Sequence, residues 1–204
     1  MSGLYHFLYT SVWFERIIAN LEHDSIPLEK SQFAMILMNK MNHKIIEFLN
    51  SYYSDLDKES GHALQIFAPT RPPWEEYLIK GPLFPLENRV ELIAFNQSLK
   101  EGGISLKDLP KIVLFSINKM DEENYYFSYN KVISLKEIEN GRSMSYEEFF
   151  SGLIELANES YIKGDFNHEE FAYNVAFRYK SMIIEEKIKS LPVIGNLYKK
   201  YVKS

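Results

Sequence analysis

Apolar and polar positions change period several times along this chain, and the changes divide it into elements. Leu4, Phe7, Leu8, Val12, Ile18 and Leu21 recur near helical spacing, which predicts a helix of about five turns at the start. Ile26-Pro27 interrupts it. Gln32 to Met38 is a short continuous apolar run, the signature of a strand buried on both faces. Asn42 is placed to cap the next helix, in which Ile45, Ile46, Leu49, Tyr52, Tyr53 and Leu56 share a face and which Gly61 closes. Ala63 to Ala68 is a second buried-strand run. Strand, helix and strand at this spacing predict a parallel pair.

Pro69, Pro72, Pro73, Pro82 and Pro85 follow closely. Proline lacks the N–H that ladders and helix interiors need, so an irregular excursion is expected, with at most a short helix over Trp74 to Ile79. Asn88 to Leu99 reads as a helix stopped by Gly102-Gly103. Lys111 to Ile117 and Tyr125 to Leu135 read as strands. They are joined closely enough to form an antiparallel hairpin. Ser145 with Glu148, and Asn167 with Glu170, are spaced to start two further helices. Pro192 ends the second, and Lys199, Lys200 and Lys203 punctuate the apolar tail.

The order β-α-β-α-β-β-α, with a proline directly before the third core strand (Leu109-Pro110-Lys111-Ile112-Val113), resembles the thioredoxin-like superfamily. The resemblance implies an α/β fold with a four-stranded mixed sheet over residues 31–162. An N-terminal helix (1–25) and a C-terminal helix with tail (166–204) would be added to it within a single domain, 1–204. It further implies a cis peptide at Leu109-Pro110 and a ligand-pairing backbone at Leu109. Where that superfamily carries its redox cysteines, this chain has Met38-Asn39-Lys40-Met41-Asn42-His43. Glutathione transferases share the layout, but Pro110 is followed here by Lys111-Ile112 and too little helix remains for their second domain.

Composition narrows the chemistry. The 204 residues include no cysteine, so disulfides, thiolate nucleophiles and cysteine-ligated metals are excluded. The net charge of −5 argues against general nucleic-acid binding, which needs a basic stripe. No apolar run reaches the roughly 20 residues of a membrane span, and the start lacks the basic leader of a signal peptide. A cytoplasmic protein is expected. His6, His23, His43, His62 and His168 show no metal-ligand spacing, and no phosphate-loop or nucleophile-elbow motif occurs. No cofactor is expected.

Two candidate surfaces stand out. At Lys40, Asn42 and His43 a helix N-terminus offers free N–H groups and a partial positive charge to a small anion. The plainer alternative is a capping Asn42 beside a solvated Lys40. The proline-rich excursion carries Arg71, Trp74, Tyr77 and Phe84, residue types suited to docking a protein or peptide. Alternatively, these side chains fold back onto the sheet. The sequence thus favours a redox-inactive, non-catalytic interaction module. The runner-up is an enzyme or binding protein for a small anionic ligand, and a homodimer through the terminal helices is a further possibility.

Overall fold

Five strands form one open mixed sheet. In the computed structural model, residues 6–8, 25–39, 41–67, 99–100, 103–119, 125–142, 144–164 and 166–190 are described. The strands are β1 (His6–Leu8), β2 (Gln32–Leu37), β3 (Leu64–Phe67), β4 (Lys111–Lys119) and β5 (Tyr125–Ser134). Their spatial order is β1-β5-β4-β2-β3. β2 and β3 are parallel, while β4 runs antiparallel to both β2 and β5. Helices within the described residues include α1 (His43–Ser60), α2 (Lys136–Glu139), α3 (Tyr146–Lys163) and α4 (His168–Ser190).

The continuous apolar runs arise because both sheet faces are covered. Along β2, Ala34 and Ile36 face a core completed by α1, α3 and α4, with Ile45, Leu49, Phe150, Leu153 and Val175 among its members. Phe33, Met35 and Leu37 point the other way, into a second cluster with Val113, Phe115, Phe127, Leu99 and Ile104. Side chains alternate with period two, so a strand buried on both sides has no polar positions to show.

Register along the hairpin depends on one extra residue. Leu114 pairs with Lys131 but Phe115 pairs with Tyr129, leaving Asn130 as a bulge in β5. Without it, Phe127 and Tyr129 would share a face with Lys131 and Ile133. A one-residue offset moves every later side chain across the sheet. The bulge therefore lets Phe127 join Phe115, at 5.7 Å between ring centroids, in the second cluster.

The helix ends follow the expected chemistry. Glu148 N–H donates to Ser145 Oγ at 3.1 Å and Ser145 N–H to Glu148 Oε2 at 2.7 Å, a reciprocal box that opens α3. Asn167 Oδ1 accepts from Glu170 N–H at the start of α4. Gly103 adopts φ +71°, and the bonds Ile104 N–H to Leu99 O and Gly103 N–H to Lys100 O close the preceding helical turn. The Leu109-Pro110 peptide is cis.

Two features differ from the expectation. His6–Leu8, placed by periodicity inside an N-terminal helix, is instead a strand pairing antiparallel with β5, Phe7 opposite Phe127. The sheet therefore has a fifth, short strand beside the four expected. The remainder of residues 1–24 lies outside the described residues, as do 68–98 and 191–204. α2 was not anticipated. His168, in the first turn of α4, is half-buried, with Nδ1 2.9 Å from Gln32 Oε1. α4 packs on the sheet, and Phe171, Ala172, Val175, Ala176 and Tyr179 are part of the main core.

Candidate functional site

α1 begins at His43, directly after the buried Asn42. The Asn42 side chain does not cap its own helix. Oδ1 accepts from Asn39 N–H at 2.8 Å, and Nδ2 donates to the Leu109 carbonyl at 3.1 Å. One amide thereby holds the turn before α1 and ties it to the segment entering β4. Asn42 and Leu109 are thereby brought together. The Leu109 carbonyl already has this partner, and Pro110 O accepts from Leu135 N–H.

The orphan N–H groups of α1 are satisfied from a distant element. Glu139, at the end of α2, accepts from Lys44 N–H through Oε1 at 3.1 Å and from Ile45 N–H through Oε2 at 3.3 Å. Oε2 also accepts from the Tyr146 hydroxyl at 2.7 Å. A carboxylate here is favoured by the partial positive charge of the helix N-terminus. Burial, and then the hydrogen bond and negative charge of Glu139, push the Tyr146 phenol well above the ordinary tyrosine range. It remains a hydrogen-bond donor throughout ordinary pH. An external anion seeking Lys44 N–H and Ile45 N–H would have to displace Glu139. His43 is exposed, and Lys40 lies outside the described residues.

Next to this junction, a groove of about 470 Å³ runs between α1, the α2 turn and the start of α3. Phe48, Tyr52, Ile138, Met144 and Tyr146 supply its apolar surface, and Lys44, Glu47 and Glu147 add charge. Phe48 stacks on Tyr52 at 5.3 Å, on Tyr146 at 5.8 Å and on Phe150 at 5.2 Å. The stack runs from the core, where Phe150 is fully buried, out to Tyr52, which is 41% exposed. Lys44 Nζ lies over Gly141, where a Cβ would come within 2.6 Å. Gly141 has φ +66°, so glycine suits both the backbone and the space.

Sequence reasoning missed Lys44, Phe48, Glu139 and the outward reach of Tyr52. Phe48 falls one position off the expected α1 face, and Glu139 meets α1 across 95 residues. The four-residue α2 is too short for periodicity to reveal. Arg71, Trp74, Tyr77 and Phe84 lie outside the described residues. Among the described residues there is no cluster of three or more potential metal ligands, and no helix is long and apolar enough to cross a membrane. Compared with protein-family models, curated proteins and solved structures, the chain matches none.

Proposed function

We propose that this chain is a thioredoxin-like interaction module without redox chemistry, and that it binds a protein segment in the groove beside α1. The order and senses of β5-β4-β2-β3 support the fold reading, since that superfamily places its third core strand antiparallel between the first and the fourth. The observation that carries the functional reading is the Glu139 carboxylate on Lys44 and Ile45 N–H. In thioredoxin-like proteins the start of this helix is where exchange chemistry occurs. Here the chain has no thiol, and its own carboxylate fills the position.

What the junction leaves accessible is the aromatic groove. Apolar walls with a few charged groups at the edge suit a side-chain anchor on an extended segment. The Pro69–Pro85 segment, with Trp74 and Phe84, is assigned to the same partner on sequence grounds.

Tyr52→Ala tests the groove, because Tyr52 is partly exposed. Binding of the partner should weaken roughly thirtyfold, the effect of losing about 2 kcal/mol at a hot spot, with only a small change in melting temperature. Unaltered binding by a folded Tyr52→Ala chain would remove the groove from the proposal.

A further inference from the structure

The inner face of α4 accounts for its packing, but its outer face is apolar as well. Tyr173 is 64% exposed, Phe177 62%, Ile184 57% and Ile188 40%. At about 100° per residue these four positions fall within an arc of about 60°. The arc lies opposite the face that carries Phe171, Val175 and Tyr179 into the core. Tyr173 and Phe177 already stack on one another, their centroids 6.4 Å apart and the rings 15° from parallel. Exposed apolar side chains aligned along one helix face in this way mark an interaction site.

We infer that this face joins two copies of the chain as an antiparallel α4–α4′ pair. Two features of the stripe single out a second copy. First, its spacing reads the same in both directions, with steps of four, seven and four residues. A two-fold axis between Lys180 and Ser181 sets Tyr173 against Ile188 of the other copy and Phe177 against Ile184. Each aromatic ring then meets a β-branched aliphatic side chain. An isologous interface requires self-complementarity of this kind.

Second, the charges bordering the stripe are polarised. Glu169 and Glu170 flank its N-terminal end, and Lys187 and Glu185 border its C-terminal end on opposite sides. Antiparallel packing sets Glu169 of one copy toward the side that carries Lys187 of the other, whereas parallel packing sets Glu169 and Glu170 against the same acidic pair. Lys187 Nζ also lies 3.9 Å from Glu137 Oε2 of α2. The two Lys180 side chains approach each other at the axis, so the same geometry predicts tighter association when that charge is removed.

The experiment is sedimentation of the full chain over a range of concentrations, with Phe177→Glu, Ile184→Glu and Lys180→Met beside it. The wild type should sediment at twice the mass of one chain. Either glutamate variant should sediment as one chain with unchanged circular dichroism, and Lys180→Met should dimerise at lower concentration. A wild type that remains a single chain at every concentration overturns the inference, as does a dimer untouched by both glutamates. Orientation is read by adding one cysteine to this cysteine-free chain. Under a mild added oxidant, a mixture of Phe177→Cys and Ile184→Cys chains should cross-link faster than either alone. Faster self-linking of each variant would overturn the antiparallel arrangement.

Discussion

Asn42 Nδ2 donates to the carbonyl of Leu109, joining the start of α1 to the entry of β4 across 67 residues. Asn42 is 5% exposed, so its amide has little access to replacement water. Asn42→Ala should lower the unfolding free energy by about 1–3 kcal/mol, the cost of stranding a buried acceptor. In urea denaturation the midpoint should fall while the slope stays constant. An unchanged midpoint would mean that this bond does not hold the junction.

Glu139 is the second tie at the same place, and its removal has a spectroscopic consequence. Glu139→Ala strands the Lys44 and Ile45 N–H groups and the Tyr146 hydroxyl, at a cost of about 1–3 kcal/mol. Burial still raises the Tyr146 phenol in this variant, but the contribution from Glu139 is gone. Tyrosine absorbance titration should therefore show one phenol ionising at lower pH than in the wild type. Glu139→Gln keeps an acceptor and should lose less stability.

The strands were legible because Gln32–Leu37 and Lys111–Ile117 are buried on both faces, and unbroken apolar runs are the direct imprint of that burial. Helix starts were legible where the capping side chain is local, as at Ser145 and Asn167. Asn42 shows the limit. Its residue type fits a cap, but its Oδ1 accepts from Asn39 N–H while its Nδ2 serves Leu109, and only tertiary placement decides this. β1 has three residues, and its existence depends on its partner β5. The outer stripe of α4 was passed over because Phe171, Val175 and Tyr179 already satisfied helical periodicity on the inner face.

His168 makes stability depend on pH. Its Nδ1 lies 2.9 Å from Gln32 Oε1, and burial lowers its pKa below the ordinary 6.5. Between the lowered value and 6.5 the unfolded chain binds more protons than the folded one, so stability falls as pH drops below 6.5. His168→Gln removes this proton uptake. Melting temperatures from pH 7.5 down to about 5 should fall less steeply in the variant than in the wild type. Parallel curves would show that His168 has the same proton affinity in both states.

Phe150 links the groove to the core, and it separates packing from binding. It is fully buried and touches Phe48, Tyr146 and Phe149. Phe150→Ala should cost about 3–5 kcal/mol of stability. Tyr52→Ala, at the outer end of the same stack, should cost much less. Equal losses in thermal melts would mean that Tyr52 serves packing rather than recognition.

The most direct test of the interaction-module proposal is site-specific photo-cross-linking in the native source, with a benzophenone amino acid at position 52 in the groove. The control places it at position 162, where Ile162 is 84% exposed at the far end of α3. The account predicts a discrete covalent adduct with one other protein from position 52 and none from position 162. The absence of an adduct at position 52, or the same adducts from both positions, would contradict it.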